Sequence, residues 1–374
     1  SDLKGLRIHL QTERTLLEQF KLFSSTLAKI QCGHTQIYPN KSVLRAWLAE
    51  RNTLPLDYYL EGRRLIVNKI DANDYKNIYA GKSYYQRKKR IEQNSEILSI
   101  DHLTIDEMMQ DMGSYISSDE DLDEFKYFQA AQLFEFYRHL SHPFDQDSIH
   151  VKYVTNKDTN EIYLLTGTAP VYTMNDRLMK VSMESKSAAN SLGEFKIIKS
   201  KYGYFRFESF GAAYGKNYDE FIQLSFEKLR KKKIDKLVID LRGNMGGVMQ
   251  YKLMRYFVGE GVDLGRYVVE KPKKRNDSKY IKKFHSEYSK HRRMSKKQKK
   301  LKRRNKFNNG QITTTSIDTN LVFTGSIVVI TDEGTFSSAA MLACHLKTLR
   351  NAKIVGRAAG GSFYVGNAGT LEVK

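Results

Sequence analysis

Cysteine is scarce: Cys32 and Cys344 are the only two in 374 residues, and neither stands in a CxxC or other metal-ligand spacing. No cysteine-based metal site is expected. Two free, packed thiols are the default, although sequence does not say whether they meet. Long apolar runs are missing as well. No stretch approaches the roughly 18 uninterrupted apolar residues of a membrane span, so no transmembrane segment is expected. The opening SDLKGLRIHL lacks a charged stretch followed by an apolar core and reads as no signal peptide, though a signal removed beforehand would leave the same start. The glycine-rich RGNMGG (242–247) fits neither the dinucleotide fingerprint nor the P-loop, which weakens any nucleotide reading.

What is present is an ordinary globular composition, 40% hydrophobic and 28% charged, in a chain long enough for two or three domains. The net charge of +20 suggests a nucleic-acid binder until it is located. Residues 271–306 hold 18 Lys and Arg against Asp277 and Glu287, while the rest of the chain carries 44 basic and 40 acidic residues. Like charges repel, so such a block reads as a solvated insertion. Tyr280, Phe284 and Tyr288, four apart, give its first part an aromatic helical face. Clustered Lys and Arg also release counterions from phosphates, so contact with an anionic surface or polyanion through 271–306 is the competing reading. No specific nucleic acid is expected.

Residues 12–30 place Leu16, Phe20, Phe23, Leu27 and Ile30 on one face of an amphipathic helix, and 42–50 reads as a second, short one. From TLPLDYYLEGRRLIVNKI the period shifts toward strands, with EGR as the turn. NSEILSIDHLTIDEMMQDM reads as strand, turn, helix, and 123–140 as one helix, apolar at Phe128, Ala131, Leu133, Phe134 and Tyr137. Residues 150–210 look strand-rich. Helix (218–233), strand (235–241), helix (246–259), strand (LVFTGSIVVIT), helix (SSAAMLACHLKTLRN) and strand (AKIVGR) then alternate. That alternation implies an α/β fold, a mixed β-sheet core flanked by helices. In such sheets the ligand site lies beyond the strand C-termini, where two loops emerge: RGNMGG and the turn before residue 338.

That turn, in ITDEGTFSSAAMLACHL (330–346), carries Ser337 and Ser338. Thr335, Ser337 and Ser338 could serve only as helix caps. Alternatively Ser337 is a nucleophile, which needs a base and an oxyanion hole. RGNMGG likewise has two readings. It is a tight turn with Asp240 and Arg242 pairing locally, or a glycine N–H in it faces a developing oxyanion, joined by the Ser338 N–H at the helix N-terminus. Each loop alone is ambiguous. Together they describe an acyl-transfer site.

LVIDLRGNMGG, GSIVVITDEGTFSSAAMLACHL and AKIVGRAAGGSFYVGNAGT, in that order, resemble the core of the C-terminal-processing (tail-specific) serine peptidases over about residues 196–374. That family includes the tricorn core and the interphotoreceptor retinoid-binding protein repeats. The resemblance implies crotonase-like ββα units and Ser337 as nucleophile. It also implies Gly246 and Ser338 as backbone oxyanion donors, Gly247, Asp240 and Arg242 in support, and no metal or cofactor. The substrate implied is a peptide or unfolded protein cut near its C-terminus. The setting implied is exported and bacterial, in the periplasm or on the outer envelope. IEQNSEILSIDHLTIDEM resembles the end of a PDZ-like module, with His102 where glycine is usual.

One branch of the family takes a lysine base from the glycine-rich loop after VG, where this chain has Ser362. A hydroxyl cannot deprotonate another serine at neutral pH. The branch resembling the tricorn core takes a histidine from a GHT stretch, and IQCGHTQIYP puts His34 there. An imidazole titrating near neutrality suits a proton shuttle. Gly33 stands where that branch has a serine, and His345, on the apolar side of its helix, reads as packing. The acid that orients the histidine follows the nucleophile in that branch. Here Lys374 ends in mid-strand, so that acid is expected beyond it, and Glu372 is a candidate only by nearness in sequence. The expected units are 1–50, a helical segment with the GHT loop; 51–147, PDZ-like or helical; and 148–374, the α/β core with its basic insertion. The competing function is a catalytically inactive peptide- or lipid-binding module on the same fold.

Overall fold

Two sheets, each over its own apolar core, carry the described part of the chain. The structure is a computed structural model. It describes residues 15–39, 52–54, 56–70, 91–143, 148–165, 167–168, 193–211, 215–247, 250–266 and 311–361. The helix expected over 42–50, the basic segment 271–306, Ser362 and Glu372 lie outside the described residues.

Helix α1 (Leu16–Ala28) starts on a capping box: Thr15 Oγ1 accepts the Glu18 N–H at 3.2 Å, and Glu18 accepts the Thr15 N–H at 2.8 Å. Phe20 and Leu17 pack on the first core. Leu16 and Ile30, expected on the same stripe, are 61% and 55% exposed, the latter because α1 has already ended.

Strand β1 (Asn52–Thr53) is short. β2 (Leu56–Glu61) and β3 (Arg64–Ile70) form the expected hairpin, turning at Gly62 with φ +66°. β4 (Glu96–Ile100), β5 (Leu103–Thr104) and α2 (Ile105–Gly113) come next as strand, turn, helix. His102 occupies the turn with φ +71°, a left-handed conformation that explains why glycine is usual there. The single helix expected over 123–140 is two, α3 (Asp123–Gln132) and α4 (Phe134–Ser141), because Leu133 at φ −129°, ψ 47° breaks the ladder. β6 (Ser148–Thr155) and β7 (Asp158–Leu165) complete an antiparallel sheet of order β2-β3-β4-β6-β7, with β5 beside β4. Ile149, Val151 and Tyr153 face the same core as Met108, Met112 and Phe136. Residues 148–165, expected to belong to the α/β core, therefore pair with the N-terminal strands instead. β8 (Gly167–Thr168) pairs with β1.

The second sheet contains β9 (Glu194–Ile198), β10 (Tyr202–Arg206), β11 (Lys236–Asp240), and, beyond the β12 (Asp263–Arg266) and β13 (Gln311–Thr313) pair, β14 (Ser326–Thr331) and β15 (Lys353–Gly356). Its order is β15-β14-β11-β10-β9, parallel except for β9. Helices α5 (Gly215–Lys231), α6 (Gln250–Val258) and α7 (Ser338–Arg350) pack on it around Phe205, Phe226, Phe257, Val329 and Leu342. This is the α/β mixed-sheet core expected. Helix α6 begins at Gln250 rather than residue 246, because Gly246 and Gly247 hold φ +92° and +140°, outside helical space.

Candidate active site

β11 and β14 run in parallel register, Asp240 beside Ile330, so the loops 241–247 and 332–337 leave the sheet side by side. Hydrogen bonds lace them together. Asp332 accepts the Gly243 N–H at 2.8 Å and the Gly334 N–H at 3.0 Å. The Thr335 hydroxyl donates to the Leu241 carbonyl at 2.9 Å, and the Phe336 N–H to the Asn244 carbonyl at 3.0 Å. Asp240 closes the base of the first loop, accepting from Arg242 Nε at 2.9 Å and from the Tyr204 hydroxyl at 2.9 Å, with Arg206 at 3.1 Å. Burial pushes this carboxyl up, but those donors and cations outweigh it and hold it at about 2. Asp240 and Arg242 thus form the local pair that is one reading of the motif.

Ser337 ends the second loop. Its φ of +54° and ψ of −125° lie where side-chain-bearing residues rarely go, a strain of about 1–3 kcal/mol. Its N–H donates to the Gly361 carbonyl at 3.1 Å, and its carbonyl accepts the Met341 N–H at 3.0 Å, so both neighbours grip it. The helix-cap reading fails for all three hydroxyls. Among the described residues, Ser337 occupies the N-cap position of α7 without a side-chain capping bond, Thr335 is committed to Leu241, and Ser338 Oγ is buried without a partner. Ser337 Oγ lies instead 3.2 Å from His34 Nε2, across 303 positions of sequence.

His34 reaches this point from the loop after α1, which is seated on residues 117–119. The Cys32 N–H donates to Ser117 Oγ at 3.1 Å, Gln36 Nε2 to the Ser117 carbonyl at 3.1 Å, and the Gly33 N–H to Asp119 Oδ1 at 2.7 Å. A Cβ at Gly33 would stand 2.7 Å from the Phe336 ring and push it aside. That ring lies 5.0 Å from the imidazole and stacks at 4.5 Å on Phe125. Burial pushes the His34 pKa below its ordinary value, while the Asp119 charge pulls the other way. His345, two turns into α7, is also lowered by burial, against a hydrogen bond to the Leu264 backbone. Cys32 and Cys344 are free thiols.

Gly246 lies against the serine: a Cβ would sit 2.8 Å from Ser337 Cβ and 2.9 Å from the Ser338 nitrogen. Its N–H, expected to face an oxyanion, donates to Asn244 Oδ1 at 2.9 Å. An asparagine two residues ahead commonly closes such a turn, a competitor that motif spacing did not reveal. Asn244 is fully buried and ties the turn down through Nδ2 to the Phe207 carbonyl at 3.0 Å. Gly247 packs so closely that a Cβ would fall 1.7 Å from the Phe210 oxygen. Gly246→Ala is expected to lower kcat/KM for peptide hydrolysis by about 10², because it displaces Ser337 and Ser338. Gly243→Ala, strained at φ +71° but with no described atom within 4 Å of its Cβ, is the control that carries backbone strain without the clash and keeps most of its activity. Steady-state kinetics on the two variants checks this.

Sequence reasoning missed Asp119, Phe336, Asn244 and Gly361 as parts of the site. Asn244, Phe336 and Gly361 lie inside the three motif stretches of the core, beside the residues that carry the resemblance. Asp119 lies in none of them.

Residues 201–372 match the model of peptidase family S41. No curated protein matches the chain in sequence. Among solved structures, mature CPAF aligns at a TM-score of 0.55 and 12% identity, covering 96% of this chain and 77% of that one. Mature CPAF complexed with lactacystin aligns at 0.55 and 12%, over 96% and 78%. A photosystem II D1 C-terminal processing protease aligns at 0.38 and 14%, over 96% and 75%. At such identities the likeness to CPAF is one of fold.

Proposed function

Residues 201–372 match the model of peptidase family S41, and we propose that this chain is a serine-type peptidase of that family with Ser337 and His34 as its reacting pair. The observation that carries this reading is the 3.2 Å between Ser337 Oγ and His34 Nε2, within the reach a general base needs. With Nε2 unprotonated, the serine hydroxyl donates to it. As Oγ attacks a peptide carbonyl, its proton passes to Nε2, a C–O bond forms, and the carbonyl π pair moves onto oxygen. The Ser338 N–H, on the first residue of α7 and without an acceptor inside the helix, faces that charge. The Gly246 N–H joins it when the oxyanion competes with Asn244 Oδ1. The imidazolium then protonates the leaving amine and the C–N bond breaks. Water, deprotonated by the same histidine, releases the acid and restores Ser337. Strain at Ser337 supports this reading, since strained strand-to-helix turns present nucleophilic serines elsewhere.

Burial lowers His34, so its neutral, basic form persists at mildly acidic pH. The acid limb of kcat/KM is therefore expected below the ordinary histidine value, which a pH–rate profile checks.

Cleavage near substrate C-termini and an exported setting belong to the same proposal, supported by the family resemblance. Among the described residues no helix is long and apolar enough to cross a membrane. The antiparallel sheet, built from the region expected to be PDZ-like, is the proposed peptide-holding surface, using strand addition. One peptide offered with a free carboxylate and as its amide tests this. At least about tenfold faster cleavage of the acid is expected, from a charged contact worth about 1.4 kcal/mol or more. Equal rates would remove the C-terminal preference and leave the peptidase.

A further inference from the structure

We propose that Asp119 is an acidic positioning residue for His34: its carboxylate anchors the histidine loop through the Gly33 N–H, and its negative charge favours the imidazolium that forms as Ser337 gives up its proton. This inference rests on Ser337 and His34 being the reacting pair.

Asp119 opens a 3₁₀ turn (Asp119–Asp121) directly after the buried Ser117 and Ser118. Its Oδ1 accepts the Gly33 N–H at 2.7 Å, a short, charge-assisted bond to the residue preceding His34. On its other side, the Asp119 Cβ and Oδ2 both stand 3.2 Å from where a Cβ on Gly361 would be. The Gly361 carbonyl in turn holds the Ser337 N–H at 3.1 Å. One carboxylate therefore binds the backbone that carries the base and leaves no room for a side chain on the residue that fixes the nucleophile.

The described carboxylates at the ends of β11 and β14 have their own partners. Asp332 binds the Gly243 and Gly334 N–H groups, Glu333 pairs with Arg357 at 2.5 and 3.1 Å, and Asp240 is held by Arg242 and Arg206. Among the described residues, burial and the Asp119 charge are the influences that move His34. Asp119 contacts neither the attacking oxygen nor the ring atom that takes the proton. It is a positioning residue, and its charge gives it an effect that a mere loop anchor lacks.

Asp119→Asn separates charge from anchoring, because the amide oxygen still accepts the Gly33 N–H. Asp119→Ser is a second neutral variant, with a shorter side chain that also weakens that bond, and Asp119→Glu retains the charge. The carboxylate raises the proton affinity of His34, so neutralising it lets the imidazole stay unprotonated to lower pH. The acid limb of kcat/KM is expected to move down by about 0.5–1 unit in a neutral variant that melts like the wild type. Its kcat should fall about tenfold, because the imidazolium loses its stabilising charge. In Asp119→Glu the limb should stay within about 0.3 units of wild type. A well-folded neutral variant whose acid limb overlies that of the wild type would overturn the inference while leaving the reacting pair in place. Wild-type rates from His34→Ala would instead remove the reacting pair, and this inference with it.

Discussion

Ser337→Ala is expected to lower peptide hydrolysis by about 10⁵- to 10⁶-fold with little change in KM or melting temperature. The effect falls on chemistry because the hydroxyl has no structural duty. Ser337 Oγ makes no capping bond to α7 and is placed against His34 Nε2 at 3.2 Å. Alanine suffers the same strain as serine at φ +54°, so the backbone strain does not change on substitution. Loss of one unneeded hydroxyl should shift stability by no more than about 0.5 kcal/mol. Steady-state kinetics beside a thermal melt reads both numbers. A variant retaining more than a tenth of wild-type kcat would mean that another group attacks the carbonyl.

His34→Ala is expected to cost about as much, some 10⁵-fold in kcat, and the double variant with Ser337→Ala should be no worse than either alone. Residues that act as one unit lose their joint contribution when either is removed. His34→Ala differs from Ser337→Ala in its structural cost, since the half-buried ring packs 5.0 Å from Phe336 in a stack that continues to Phe125. A modest fall in melting temperature is therefore expected with the loss of rate. The residual activity should also lose its acid limb, because the group that titrates there is gone. Measuring the pH profiles of the single and double variants checks both statements. Multiplicative losses in the double variant would show that the two side chains act independently.

The α/β core was legible because its strands are continuous apolar runs separated by amphipathic helices. The parallel course of β10, β11, β14 and β15 fits that alternation, which leaves their order open. The convergence of RGNMGG with the serine turn was legible for the same reason, since both follow strand C-termini. His34 was found by resemblance to a motif, and no periodicity would have singled it out. Its loop is seated by Ser117 and Asp119, residues about 85 positions away in a stretch without local signal. The break at Leu133 was hidden because apolar residues continue through it at helical spacing. The pairing of 148–165 with the first sheet was hidden because strand propensity does not name a partner, and β6 alternates as well for one core as for the other. Neither the bond from the Gly246 N–H to Asn244 nor the left-handed Ser337 could be read from residue types. Asparagine, glycine and serine all favour turns, whatever each then donates to.

The most direct measurement is the mass of the intact protein and its peptides after exposure to a fluorophosphonate, which captures only a serine oxygen made nucleophilic by a base. The account predicts one adduct per chain, on Ser337, and none at the same exposure in His34→Ala. An adduct on another residue, or equal labelling of Ser337 without the histidine, would contradict it.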